Sequence, residues 1–73
     1  MERAKVMIRN EKGEYEPYTG IFEAVGVNEA FAEARKHFKR HLLRCSAPGK
    51  VFAIFIQNED SREWHKKGHI IKS

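Results

Sequence analysis

An amphipathic segment, residues 28–45, constrains the fold of this chain more than any other feature. At the α-helical period its apolar side chains share one face: Ala30, Phe31, Ala34, Phe38, Leu42 and Cys45. Acidic residues come early in the segment and basic residues late, an order that complements the helix dipole. Asn28 is predicted to be the N-cap, because its side-chain oxygen can accept from an unpaired N–H group of the first turn. The sequence therefore predicts a helix over residues 28–45, which Pro48 terminates.

Alternating side chains predict two strands before this helix. In residues 4–9 every second residue is a small or branched apolar one, so one side of this strand is expected to be buried. Gly13 lies in the polar turn that follows, where glycine is free to adopt a positive φ angle. A second strand is predicted over residues 18–25, and the two strands are expected to form a hairpin.

Two further strands are predicted after the helix. Residues 51–56 are apolar without a break and rich in β-branched and aromatic side chains, which indicates a central strand. A final strand is predicted over residues 64–71, with a bulge or bend at Gly68. The expected fold is therefore α+β: one domain, residues 1–73, in the order ββαββ, with the helix on one face of a four-stranded antiparallel or mixed sheet.

One helix covers only one face of such a sheet, so the other face is expected to expose large apolar side chains. Both sides of residues 51–56 are apolar, and the pattern does not show which side meets the helix. We assign Val51 and Phe55 to the core. The predicted protein interface consists of Phe52, Ile54, Ile56 and, on the helix, Leu43. A homodimer is favoured, because two-fold association is a common way for proteins to cover such a surface; a different protein or stacked nucleic-acid bases are the alternatives.

Composition narrows the class of protein further. The chain has 73 residues, one cysteine and a formal net charge of +4. A single cysteine excludes an internal disulfide, and no apolar run approaches the ~20 residues of a membrane span. The protein is therefore expected to be cytoplasmic, with no membrane association and no cofactor. Its positive charge favours a polyanionic partner.

Basic residues on the polar side of the predicted helix form a candidate surface for nucleic-acid phosphates. These residues are Arg35, Lys36, Lys39, Arg40 and Arg44. Like charges three or four residues apart destabilise a helix by roughly 0.2–0.5 kcal/mol per pair, so a chain selected for folding alone would separate them with glutamate. The alternative is a solvated basic surface, because each cation near a helix C-terminus gains roughly 0.3–1 kcal/mol.

Basic and aromatic residues are also mixed near the C-terminus, where Trp64, Lys66 and Lys67 are predicted to assist binding. Cations interleaved with an aromatic ring are typical of proteins that bind RNA or single strands. The alternative interpretation is structural: lysines protect an edge strand from aggregation, and the tryptophan covers a thin core.

Neither metal binding nor catalysis is predicted. His37, His41 and Cys45 follow one another at one-turn spacing, but the outer two would lie about 12 Å apart along a helix and could not share one ion. Cys45 belongs to the apolar face, where a thiol stays protonated and unreactive. A small non-enzymatic binding protein is therefore expected. Nucleic-acid binding through the basic helix is the preferred function, and the alternative is a protein-interaction module (adaptor, inhibitor or regulatory subunit) that acts through the open sheet face.

Overall fold

One antiparallel sheet and one helical segment make up the described part of the chain. The structure is a computed structural model that describes residues 1–42 and 48–71, with residues 41 and 42 described in their backbone alone. The strands are β1 (Glu2–Arg9), β2 (Tyr15–Pro17), β3 (Phe22–Ala24), β4 (Val51–Gln57) and β5 (His65–Ile71). β1 and β4 pair at the centre, β5 pairs with the other side of β4, and β2 and β3 share the other side of β1. The predicted α+β fold is confirmed.

Of the second predicted strand, residues 18–25, only Phe22–Ala24 form a strand, β3, and an additional strand, β2, precedes it. β2 and β3 pair with opposite ends of β1. Between them, the backbone N–H groups of Tyr18 and Thr19 both donate to the Val6 carbonyl, at 3.0 and 3.3 Å. The Val6 N–H donates to the Thr19 hydroxyl at 3.1 Å, so a side chain takes the place of a ladder carbonyl. The described sheet therefore has five strands, and the expected four-stranded ββαββ arrangement is wrong in this respect.

The helix begins one residue earlier than the sequence predicts and changes geometry along its length. α1 spans Val27–His37 and continues as a π-helix over Phe38–Leu42. Its N-cap is Gly26, without a side-chain capping hydrogen bond, so the predicted Asn28 cap is wrong. A Cβ atom at Gly26 would collide with the Glu29 carboxylate, which lies close to the helix N-terminus, where the dipole favours negative charge. The end of the predicted helix lies outside the described residues.

A stripe of small and aromatic side chains packs the helix onto the sheet. The fully buried core cluster consists of Ala4, Val6, Ala30, Ala34, Phe38, Phe52 and Ile54. The Phe38 and Phe52 rings lie 4.6 Å apart between centres, and the Tyr18 ring packs edge-on against both. Burial of Ala30, Ala34 and Phe38 confirms the apolar face that the helical period predicts.

The register between β1 and β4 decides which side of β4 faces the helix. The opposed pairs are Ala4–Ile56, Val6–Ile54 and Ile8–Phe52. Residues directly opposite each other in antiparallel strands share one face of the sheet. Phe52 and Ile54 are at most 1% exposed and Ile56 packs against the core, so the predicted interface at these residues is wrong. The fourth residue predicted there, Leu43, lies outside the described residues.

Val51 and Phe55, which the sequence assigned to the core, lie on the opposite side of β4. The side chains of a strand alternate between the two faces, so these two residues point away from the helix. We name the side of the sheet away from the helix the open sheet face.

A bulge in β5 separates two neighbouring lysines. Ile54 lies opposite Gly68, whereas Phe55 lies opposite Lys66, so Lys67 is the extra residue and the predicted irregularity is found one residue before Gly68. A Cβ atom at Gly68 would lie 3.4 Å from the Phe31 ring, an ordinary van der Waals contact, so this part of β5 lies against the helix. As a result, Lys66 lies on the open sheet face, whereas the Lys67 ammonium lies 5.7 Å from the Phe31 ring centre on the helix side.

The two faces of β4 predict different losses of stability for the same substitution. Phe52→Ala is expected to lower the free energy of unfolding by about 3–5 kcal/mol, the cost of emptying a buried phenylalanine site. Phe55→Ala is expected to cost less, because this ring is partly exposed and lies outside the buried core cluster. Urea denaturation followed by circular dichroism measures both free energies of unfolding. If an alanine variant does not fold, Phe52→Leu and Phe55→Leu provide the same comparison. An equal or larger loss at Phe55 would contradict the assignment of faces.

Candidate nucleic-acid interface

Four described cations extend from the helical segment into solvent: Arg35, Lys36, Lys39 and Arg40. All four side chains are exposed, whereas Ala30, Ala34 and Phe38 of the same segment are buried against the sheet. The ion pairs that the structure shows, Met1–Glu59 and Arg3–Glu23, involve none of them. The charges of these four side chains are therefore available to an external anion.

The π-helix changes the geometry of this cationic surface. A π turn uses i→i+5 hydrogen bonds, so α-helical spacing does not extend past Phe38. The α-helical spacing behind the predicted row of cations therefore does not apply to Lys39 and Arg40, and the last member of the row, Arg44, lies outside the described residues. A shallow depression of about 200 Å³ lies beside the cations, lined by Phe22, Glu33, Lys36, His37 and Arg40. Glu33 gives this depression mixed charge.

The open sheet face carries a second set of cations, and these are mixed with aromatic rings. Strand alternation and register place on it Arg3, Lys5, Met7 and Arg9 of β1, Tyr15 and Pro17 of β2, Glu23 of β3, Val51, Ala53, Phe55 and Gln57 of β4, and Lys66, His69 and Ile71 of β5. Trp64, the residue before β5, joins this face because the Lys5 ammonium lies 4.1 Å from its ring centre. The helix packs against the other side of the sheet, so all of these side chains except the buried Ala53 are at least partly exposed.

Five of these residues form a connected group, which we define as the aromatic–cation cluster: Lys5, Tyr15, Phe55, Trp64 and Lys66. Phe55 is central, since Lys5 and Lys66 are its register partners in β1 and β5. The Tyr15 ring packs edge-on against the Phe55 ring, with 5.5 Å between centres. The Lys66 ammonium lies 5.8 Å from the Tyr15 ring centre. The three aromatic residues are half-buried, so each retains surface that a ligand can contact.

The open sheet face is positively charged. Its Arg3 is compensated by Glu23, whose carboxylate lies 3.6 Å from the guanidinium group. Lys5 and Lys66, in contrast, contact aromatic rings. An exposed cation–π contact contributes only about 0.5–1 kcal/mol, so both lysines can leave their rings at small cost when an anion arrives.

The structure brings together only some of the residues that the sequence nominates for nucleic acid. Trp64 and Lys66 belong to the aromatic–cation cluster, whereas Lys67 lies on the helix side of the sheet. The helix cations form a separate surface on that same side. The other members of the cluster, which are Lys5, Tyr15 and Phe55, were not predicted to bind nucleic acid. These three are distant in the chain and meet only through strand register; the single local signal was the polar side of residues 4–9.

Metal binding finds no further support in the described side chains, among which no group of three histidine, cysteine or acidic residues could hold an ion. His37, one of the three residues considered as metal ligands, packs against Phe22, with 5.1 Å between the ring centres. The side chains of His41 and Cys45 lie outside the described residues.

Comparison of the chain with protein-family models, curated proteins and solved structures finds no match. The chemistry of the two cationic surfaces is therefore the basis for assigning a function. Among the helices of the described ranges, none combines the length and apolar character needed to cross a membrane.

Lys5→Met is predicted to expose Trp64, the single tryptophan of the chain. Methionine keeps an apolar side chain but removes the ammonium group that lies over the indole ring. We expect acrylamide to quench tryptophan fluorescence more strongly in this variant than in the unaltered protein. Lys12 lies in an exposed turn, so Lys12→Met is expected to be quenched as strongly as the unaltered protein. Equal quenching in both variants and the unaltered protein would show that Lys5 does not cover Trp64 in solution.

Proposed function

We propose that this protein is a non-enzymatic nucleic-acid-binding module whose exposed cations hold the phosphate backbone. The observation that carries this proposal is the set of helix cations that face solvent with no carboxylate paired to them in the described residues: Arg35, Lys36, Lys39 and Arg40. Like charges at this spacing repel one another and weaken the helix. A phosphate backbone along this surface would relieve the repulsion.

The helix surface offers two kinds of phosphate ligand. The guanidinium groups of Arg35 and Arg40 can each donate two parallel hydrogen bonds to phosphate oxygens, whereas Lys36 and Lys39 act as compact charges. Each phosphate that is neutralised releases counterions, so the affinity is expected to fall steeply with salt. Contacts of this kind position a nucleic acid without reading its sequence.

A protein interface on the open sheet face has less support. Two side chains that were expected to form it, Phe52 and Ile54, are buried against the helix. The open sheet face carries Lys5, Arg9 and Lys66 instead, so two copies packed face to face would bring like charges together. Nucleic acid is therefore the preferred partner, and a second copy of the chain is the alternative.

Charge reversal on the helix is predicted to remove most of the phosphate binding. In the double variant Lys36→Glu and Arg40→Glu, we expect the affinity for a labelled oligonucleotide at low salt to fall by about tenfold or more, because attraction becomes repulsion. The slope of log affinity against log salt should decrease by about 0.7–0.9 for each phosphate that the variant no longer neutralises. Fluorescence anisotropy at several salt concentrations measures both quantities.

A matched control reverses the charge of one lysine and one arginine outside the helix. Lys12 and Arg62 are exposed and lie outside the helix, so Lys12→Glu with Arg62→Glu has the same net charge as the helix variant. We expect the control to retain most of the affinity. An equal loss in both variants would assign binding to net charge rather than to the helix surface. Failure of the unaltered protein to bind at low salt would reject the proposed function.

A further inference from the structure

The aromatic–cation cluster lies outside the phosphate-binding helix and has a different chemistry. Its three rings, Tyr15, Phe55 and Trp64, are only half-buried, on the side of the sheet away from the hydrophobic core. Lys5 and Lys66 lie over the Trp64 and Tyr15 rings, at 4.1 and 5.8 Å from the ring centres. Rings grouped on an uncovered surface together with cations indicate a ligand that has both flat apolar faces and negative charge.

Nucleobases have the flat faces on which such rings stack, and the strand that carries them supplies the negative charge. Stacking on phenylalanine, tyrosine or tryptophan tolerates every base, because every base has a π face. In a duplex these faces are covered by neighbouring bases, and only base edges are accessible from the grooves. A single strand can therefore use the rings and the cations together, whereas a duplex cannot.

We infer that the open sheet face binds single-stranded nucleic acid, with bases stacked on Phe55 and Trp64 and the backbone held by Lys5 and Lys66. This inference rests on the proposed nucleic-acid-binding function and specifies a single strand as its substrate. Because Lys5 and Lys66 flank Phe55 in the neighbouring strands, a base on this ring has an ammonium group on either side for the adjoining phosphates. The Tyr15 ring, edge-on to Phe55, extends the stacking surface toward β2.

Binding at this site requires the lysines to move from the rings to phosphates. In the free protein the Lys5 ammonium covers the face of Trp64 that a base would use. A phosphate is the stronger partner for an ammonium group, because the hydrogen bond between them joins two opposite charges. Lysine has a flexible four-carbon side chain, so the exchange needs rotations of that side chain alone. A base that replaces the ammonium is expected to quench Trp64 fluorescence.

Charge and shape distinguish this ligand from other occupants of a sheet face. A second copy of the chain would place Lys5, Arg9 and Lys66 against the same charges. An acidic peptide would satisfy the lysines but would leave the three rings without flat partners. A single strand complements both the charge and the rings.

Three probes of equal length, about 12 nucleotides, isolate the contribution of stacking. They are a thymidine single strand, an abasic strand with the same phosphates, and a duplex. The unaltered protein is expected to bind the thymidine strand at least about 5- to 150-fold more tightly than the abasic strand, the range that corresponds to stacking of a single base. The thymidine strand is expected to quench Trp64 fluorescence more strongly than the abasic strand or the duplex, because neither of these can place a base on the indole ring.

Phe55→Leu and Phe55→Trp form a matched pair of variants at the centre of the cluster. Leucine keeps apolar volume but has no ring, so the preference for the thymidine strand over the abasic strand is expected to fall several-fold. Tryptophan keeps a ring and is expected to retain the preference. The helix variant, Lys36→Glu with Arg40→Glu, is expected to weaken binding of the abasic strand and the duplex while the preference for bases remains. Circular dichroism confirms that each variant is folded.

The binding measurements distinguish failure of this inference from failure of the proposed function. Equal, salt-dependent affinity for the thymidine and abasic strands would overturn the inference and leave phosphate binding in place. No binding of any probe at low salt would overturn both. Self-association of the free protein that Phe55→Leu abolishes, measured by light scattering, would assign the open sheet face to a second copy and overturn the inference.

Discussion

The pairing of β1 with β4 is the constraint on which the rest of the structure depends. Val6 lies opposite Ile54, and this pair fixes which side chains of the two central strands share a face. Because side chains alternate along a strand, a slip of one residue would exchange the two faces of β4 completely. In the observed register Val6 and Ile54 meet the helix, and Lys5 meets Phe55 on the opposite side. One backbone register therefore creates both the core and the open sheet face.

Elements with a local signal were predictable from the sequence, and elements that depend on a single side chain were not. The alternation of β1, the apolar run of β4 and the buried stripe of the helix are properties of neighbouring residues, and the structure confirms them. The N-cap was mispredicted, because nothing in the helical period indicates that Glu29 lies against Gly26. The second strand was predicted as continuous, because its pattern does not show that the Thr19 hydroxyl accepts from the backbone of Val6.

The part of the candidate site that lies on one helix was predictable from the sequence. The part that strand register brings together from distant residues was not. The helix cations follow from spacing along one element. The aromatic–cation cluster, in contrast, combines side chains from β1, β2, β4 and β5 with Trp64. Both sides of β4 are apolar, so periodicity alone could not decide between Phe52 and Phe55. The ring that the sequence assigned to the core is the centre of the inferred stacking site, and the ring assigned to the surface is buried.

To form the inferred complex, a nucleobase must replace the Lys5 ammonium on the Trp64 ring. An exposed cation–π contact contributes about 0.5–1 kcal/mol, whereas stacking of one base contributes about 1–3 kcal/mol, so the exchange is favourable. Titration of the isotope-labelled protein with a thymidine single strand, followed by NMR, tests this account most directly. The account predicts the largest shifts for the Trp64 indole N–H and for the backbone amides around Phe55. Shifts confined to the helix, or no shifts at all, would contradict it.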